Sequence, residues 1–497
     1  MNKKTIFVLL LIIALASLLR TYKIGAESFW IDEGADAVAV TKYDGIGILK
    51  NIYSHGQILP EYYSETSDLP VYYFTLAYWG KLFSVSEVSL RLYSALFGTL
   101  ALIFIFLTAK RLFNRKSALL ASFLFALSIP AIEFSQEARL YSMYMFFGTA
   151  SMYYLVSAIK TGGGRNWAIY ALFTLLGMYT HYLFGILVLF QVLWLLFDAI
   201  SKGNYKIISG ILVVYIIIGI ISLPLVPGLF RSGNIEPWWP KPTIAGTAKI
   251  FFNFAAWVYP TEEASIGINS LNFHGMNPTN ILLVLSAAML AILSYALILK
   301  FFYSKFSKKS KNKSSILFLM GWFIFPIAFG FAVSLFTPIK IFGSLRYVLY
   351  CLPPFIMLLS ESILNLKKYS KALVIIFVLL AAIPLYSYYS NVNNQQWREA
   401  SLYLKNKVLN EEPIIMNIAS GQVVLQYYYR FDNNIHGIRN ADDAKKIIGD
   451  KNSFWLVLSF WKYYDPQGNI QKYANGNYNL ADTKHFFGID VYHYKKK

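Results

Sequence analysis

An adjacent acid pair, Asp32-Glu33, follows the first long apolar run of the chain and sits behind Phe29-Trp30-Ile31. Carboxylates in that place have two uses. One is structural, because acids in a first helical turn meet the positive end of the helix dipole; Asp32 would then cap a helix running from Glu33 to about Tyr53. The other is chemical, since an acid just outside a membrane span is placed to take a proton from something at the lipid surface. The two are compatible, because Asp32, Glu33 and Asp36 fall on neighbouring positions of one helical face. Further polar candidates are Asp68 in Ser67-Asp68-Leu69-Pro70, Arg139 in Gln136-Glu137-Ala138-Arg139-Leu140-Tyr141, His181 in Tyr179-Thr180-His181-Tyr182, Lys340, Arg346 in Arg346-Tyr347, and Arg91. A lone arginine or histidine at a helix end also serves as an interfacial anchor.

The elements that must position these residues are membrane spans. Of 497 residues, 56% are apolar and only 14% charged, against roughly a quarter charged in a soluble domain. A bilayer core of about 30 Å needs roughly 20 apolar residues in helix, because lipid offers backbone groups no partner. Eleven stretches suffice or nearly so: 5–20, 88–110, 117–132, 140–158, 167–181, 183–198, 206–226, 279–300, 314–336, 346–364 and 371–388. Lys3 and Lys4 before a run containing Ala14-Leu15-Ala16 imitate a secretory signal, but the sequence after Arg20 continues into the acid pair, which favours a retained span.

Alternate loops between these spans collect 19 lysines and arginines against Asp198 alone. The positive-inside rule therefore makes that side, with the amino terminus, cytoplasmic. The formal charge of +19 is thus a topology signal, and nucleic acid is excluded as a partner. Three large segments fall outside: a first loop at about 21–87, a middle loop at about 227–278 and a tail at 389–497. The tail alternates short apolar strands, Pro413 to Ile418 and Phe454 to Phe460, with helical patterns, Trp397 to Leu409 and Asn440 to Ile448. The expected fold is mainly α: a polytopic helical bundle over 1–388, carrying the first and middle loops, with a small extracytoplasmic α/β domain over 389–497. Glu361, beside Lys367 and Lys368, suits a snorkelling interfacial residue better than a proton relay, which disfavours an ion-coupled transporter. The single cysteine, Cys351, rules out an intrachain disulfide.

The order Arg20-Thr21-Tyr22, Trp30-Ile31-Asp32-Glu33, Leu69-Pro70-Val71-Tyr72-Tyr73, Arg91-Leu92-Tyr93-Ser94-Ala95-Leu96-Phe97-Gly98, Gln136-Glu137-Ala138-Arg139, Tyr179-Thr180-His181-Tyr182 and Arg346-Tyr347 resembles the polytopic membrane glycosyltransferases of the GT-C class. It is similar to the family 39 protein mannosyltransferases and the lipid A aminoarabinose transferases. The resemblance spans about residues 5–388; the tail shares only Trp397-Arg398-Glu399. It implies sugar transfer from a polyprenyl-phosphate donor to an acceptor hydroxyl at the outer face of the plasma membrane, with Asp32 as base. One departure is Asp68-Leu69-Pro70, where many relatives have a His-Pro-Pro-like segment. Protein, lipid and glycan acceptors all stay open.

Elementary chemistry agrees with that implication. Nucleotide sugars are made inside, so an outward-facing transferase needs a donor that sits in lipid. A departing phosphate is already a stable anion, so one base is enough. Asp32 would take the acceptor proton while Glu33 would orient the acceptor or hold a partner of Asp32. Adjacent carboxylates diverge, unlike the opposed acid and base of a glycosidase. Arg139 and Arg346, then Lys340, His181 and Arg91, are the candidates for the phosphate. Trp30, Asp36, Asp68, Tyr141, Tyr182 and Tyr347 would line the substrate. Mg²⁺ or Mn²⁺ bridging Asp32 and phosphate is the alternative to the expectation of no required metal or other cofactor. Trp238-Trp239-Pro240 and Trp257-Val258-Tyr259 suit either a re-entrant cover for the isoprenoid chain or an aromatic belt. The competing functions are an oligosaccharide ligase or polymerase with a lipid-diphosphate donor, a lipid or sugar transporter, and an inactive scaffold whose tail binds a partner.

Overall fold

The computed structural model describes residues 2–60, 68–203, 206–228, 242–257, 278–306, 312–337, 344–409, 412–419, 421–429, 434–449 and 451–497. Lys340, Trp238-Trp239-Pro240, Val258 and Tyr259 lie outside the described residues. Chain packing forms two compact units. The first comprises Met1–Tyr22, Leu69–Tyr72 and Arg91–Asn391, the second Lys23–Asp68, Tyr73–Leu90 and Val392–Lys497. The first outer loop therefore packs with the tail.

The opening helices are α1 (Lys3–Thr21), α2 (Ile31–Lys42), α3 (Gly45–His55), α4 (Pro70–Phe83) and α5 (Glu87–Leu112). They are followed by α6 (Arg115–Leu127), α7 (Ile129–Glu133), α8 (Tyr141–Thr161), α9 (Gly164–Met178), α10 (Phe184–Ser201) and α11 (Lys206–Ser222). Among the described residues, 8 helices are long and apolar enough to cross a membrane, so this is a multi-pass membrane protein. The other three expected spans are helical but differ in kind. Extended backbone at Ser128 separates α6 from α7, and Pro130 sits in the first turn of α7, where its missing N–H costs nothing. The α9 helix has only 15 residues. Helix α8 is long enough but carries buried Ser142, Thr149, Ser151 and Ser157, which suits a place inside the bundle.

The centre of the first unit is the run from Val348 to Ser360, a 3₁₀ segment passing into the helix Leu352–Asn365, with every residue buried. The following helix, Ser370–Ser390, buries little beyond Phe377, Ala381 and Pro384, as a lipid-facing helix does. Glu361 accepts a short hydrogen bond from the Ser117 hydroxyl, so its carboxylate has a partner within the bundle. Gly98 allows α5 to close on the turn after α7: a Cβ there would lie 2.0 Å from Ser135 Oγ and 3.0 Å from its Cβ. Gly98→Ala is expected to cost about 1–3 kcal/mol through overpacking, read as a lower melting temperature of the purified protein; an unchanged melt would refute that close approach.

In the second unit the tail forms a five-stranded sheet from β1 (Ile414–Met416), β2 (Ile435–Gly437), β3 (Ser453–Leu458), β4 (Tyr478–Phe486) and β5 (Ile489–Lys496). Its order is β2-β1-β3-β5-β4, parallel across β2, β1 and β3 and antiparallel across β3, β5 and β4. The helices Trp397–Lys407 and Ala441–Ile448 fall where the sequence pattern places them, the latter capped by Asn440. The β4–β5 hairpin turns at Phe487-Gly488, with Gly488 at φ 71°.

Glu412 ties β3 to β5. Its carboxylate accepts from Leu409 N–H at 3.1 Å, Trp455 Nε1 at 2.9 Å and the Ser453 hydroxyl, and meets His493 Nε2 at 2.9 Å. The His493 ring stacks on Trp455 with centroids 4.2 Å apart. Burial opposes the charge, but these hydrogen bonds from Ser453, Trp455, Leu409 and His493 outweigh it and hold the carboxyl at about 2, below its ordinary 4.5. A depressed carboxyl contributes stability above its unfolded value and loses it as pH falls. The full-length protein should therefore lose melting temperature progressively from about pH 4.5 towards 2, and Glu412→Gln should flatten that limb; identical acid limbs would contradict this account.

Candidate active site

Helix α2 starts two residues earlier than the sequence suggests and stops sooner. Trp30 is its N-cap, Ile31 its first residue and Lys42 its last. Asp32 is therefore not the cap: the helix is capped by Glu33, whose carboxylate accepts from Trp30 N–H at 3.3 Å. A second helix then begins at Gly45, because Asp44 accepts from Gly47 N–H at 2.7 Å. Glu33 and Asp36 are fully buried, whereas Asp32 is half-buried in the first turn. Its charge is favoured there by the helix dipole. Trp30 is half-buried beside it. Asp68 is occupied in the same unit: its carboxylate accepts from Ile58 N–H at 2.9 Å and its own N–H donates to Gly56 carbonyl at 2.8 Å.

The candidate cations gather in the first unit. The Arg346 guanidinium lies 5.8 Å from the ring centres of both Tyr141 and Tyr347, and its Nε donates to Ser344 Oγ at 3.3 Å. Tyr141 also lies within electrostatic reach of Arg139 and Glu137, and His181 within reach of Arg139. The His181 ring stands 5.7 Å from Tyr347 and 4.9 Å from Tyr144. Its Nδ1 accepts from Leu183 N–H at 3.1 Å, which leaves the proton of a neutral ring on Nε2. Tyr144 donates to the Tyr347 carbonyl at 3.2 Å. Arg91 is buried on α5, three residues before Ser94, whose hydroxyl donates to the Arg139 carbonyl at 3.1 Å. Tyr182 is half-buried in the turn after His181.

One acid of this cluster escaped the sequence reading. Glu133 is buried at the end of α7, within electrostatic reach of Glu137 and Arg346. The sequence shows only an acid closing an apolar run; a buried acid needs a cationic neighbour, and which one is set by packing. The turn carrying these groups is fastened by Gln136. Its Nε2 donates to the carbonyls of Leu19, Arg20 and Tyr22 at 3.3, 3.2 and 2.8 Å, and its Oε1 accepts from Tyr388 hydroxyl at 2.9 Å. Two of the motif fragments, at 20–22 and 136–139, thus meet through one side chain that satisfies the last carbonyls of α1. The cluster can bind an anionic oxygen group between guanidinium and aromatic faces, with its own acids limiting the net positive field. No group of three or more candidate metal ligands occurs among the described residues.

Residues 67–225 match the family model of the dolichyl-phosphate-mannose-protein mannosyltransferases. No curated protein matches the chain in sequence. Among solved structures, ArnT from Cupriavidus metallidurans in the apo state is similar at a TM-score of 0.56 and 10% identity, covering 98% of this chain and 97% of that one. The same protein bound to undecaprenyl phosphate gives 0.54 and 10% over the same shares. The archaeal oligosaccharyltransferase AglB from Archaeoglobus fulgidus, in complex with an inhibitory peptide and a dolichol-phosphate, gives 0.59 and 12%, covering 99% of this chain and 74% of that one.

Proposed function

We propose, taking as premise a chain with the fold of the GT-C membrane glycosyltransferases and a mannosyltransferase-type segment at 67–225, that it is an inverting glycosyltransferase working at the outer membrane face. The donor is a polyprenyl-phosphate sugar and the acceptor a hydroxyl group. Asp32 takes the acceptor proton as the oxygen attacks the anomeric carbon. The bond from that carbon to the phosphate oxygen breaks on the opposite face, and the polyprenyl phosphate leaves as an anion. Arg139 and Arg346 receive its charge, and His181 Nε2–H adds a neutral donor. Arg91 supports this site from α5, while Tyr141, Tyr182 and Tyr347 offer ring faces to the sugar or carrier. Lys340 is retained as a further phosphate contact. On the acid side, Trp30, Asp36 and Asp68 frame the acceptor, and Glu33 serves Asp32 by holding the cap.

The observation that carries this reading is the gathering of Arg139, Arg346, His181, Tyr141 and Tyr347, distant in sequence, into one cationic and aromatic cluster. The polyprenyl phosphates bound by ArnT and AglB have the same leaving-group chemistry. Topology follows the charge bias: the amino terminus cytoplasmic, the tail outside, the chain in the plasma membrane. The test is reconstitution in proteoliposomes with a panel of radiolabelled polyprenyl-phosphate sugars and envelope acceptors. Anomeric inversion with release of polyprenyl phosphate is expected. Activity only with diphosphate-linked glycans would establish a ligase instead, and donor movement without any acceptor a transporter. No divalent ion is needed in this scheme, because the arginines meet the phosphate charge; excess EDTA should leave the rate within about twofold, and a larger loss restored by Mg²⁺ would bring a metal into the mechanism.

A further inference from the structure

The tail shares with the resembling family only Trp397-Arg398-Glu399, and nothing in the proposed chemistry uses it. Its helix Gly421–Tyr429 lies directly against α2. Gly34, two residues after Asp32, is where they touch: a Cβ on Gly34 would lie 2.5 Å from Val424 Cβ and 2.9 Å from its Cα. A backbone atom that close cannot step aside, so only glycine fits. Glycine inside a helix costs about 1 kcal/mol relative to alanine, a cost that this close approach explains.

Three residues before Asp32, the chain is gripped a second time. Phe29 N–H donates to the Tyr428 hydroxyl at 2.7 Å, and that hydroxyl donates to Glu87 Oε1 at 2.7 Å. Phe29 is fully buried, its ring edge-on to Tyr427 at 5.4 Å. Arg398 extends the grip, with Nη1 3.2 Å from Glu87 Oε1, Nη2 donating to Ala26 carbonyl at 2.8 Å, and Glu399 Oε1 3.1 Å from Nη2. Upstream, Glu27 accepts from Asn393 and Asn394 N–H at 2.8 and 2.9 Å. The acid is thus bracketed by tail contacts at residues 29 and 34.

We infer that the tail domain sets the position of the Asp32 carboxylate, with Val424 and Tyr428 as positioning residues, Tyr428 being held in turn by Glu87 and, through it, Arg398. The inference rests on Asp32 being the base. Misplacing a reacting group by about 1 Å costs up to 10²-fold in rate, so a domain with no chemistry of its own can control turnover.

The experiment uses the full-length protein in proteoliposomes. The native cysteine, Cys351, is buried, so nitroxide labels go selectively to introduced thiols at Thr41→Cys on α2 and Lys472→Cys on the sheet domain, both exposed. A single narrow distance distribution is expected. Tyr428→Phe should broaden it and lower kcat about tenfold with the KM for the polyprenyl-phosphate sugar unchanged; Gly34→Ala should do more of both. Tyr494→Phe, which removes a tail hydroxyl bonded to Asn475 away from α2, should move neither readout. Unchanged distances and kcat in both α2-facing variants, or equal changes in Tyr494→Phe, would overturn the inference while leaving the transferase reading intact. Broadened distances in a protein that transfers no sugar from any polyprenyl phosphate would keep the positioning and remove the proposed function.

Discussion

Asp32→Asn is expected to abolish sugar transfer, by about 10²–10⁴-fold in kcat, in a protein that still folds. The amide keeps the size of the acid but cannot take a proton from the acceptor. At 1.36 kcal/mol per decade this is about 3–5 kcal/mol of barrier. The folded state loses only the attraction between a half-buried first-turn charge and the helix dipole, roughly 0.3–1 kcal/mol. Initial rates from a radiolabelled donor, set beside a thermal melt of the same preparation, separate the two effects. Glu33→Gln provides the contrast. An amide oxygen can still accept from Trp30 N–H, so its rate should fall less than tenfold. If Asn at 32 retains half the native rate, or Gln at 33 is the more damaging change, Asp32 is not the base.

Replacing Arg346 with Ala should reduce kcat by about 10²–10³, the scale for removing one fixed donor from a developing anion. Lysine should not restore it, because a point charge cannot reproduce the planar fork over the faces of Tyr141 and Tyr347. The same variants should weaken inhibition by free undecaprenyl phosphate, a readout independent of acceptor. Glu133 loses an attractive neighbour when Arg346 is removed, so some loss of stability is expected alongside. Unaltered inhibition in a folded Arg346→Ala protein would remove this arginine from the phosphate site.

Much of the architecture was legible in the chain. Eight of the spans drawn from apolar runs coincide with helices of membrane length, because a run of about 20 apolar residues has few other stable outcomes in lipid. The tail strands at Ile414–Met416 and Ser453–Leu458 and the helix after Asn440 were equally readable, since alternation and capping are written in neighbouring residues. Less readable were the extent of α2, where an inward-facing Glu33 rather than Asp32 closes the cap, and the break at Ser128 that separates α6 from α7. The membership of Glu133 in the cationic cluster needs contacts across several helices, and no local pattern encodes those.

By itself the sequence determined that this is a multi-span membrane protein with an α/β tail, and it supplied the inventory of acids, arginines and aromatics from which a site must be made. Tertiary structure alone decided which of them meet: Arg346 with Tyr141, Gln136 with the end of α1, and Gly34 with Val424. The reason is range. Hydrophobic periodicity and caps act over a few residues, whereas a buried charge or a missing Cβ acquires its meaning only from atoms that packing brings from distant parts of the chain.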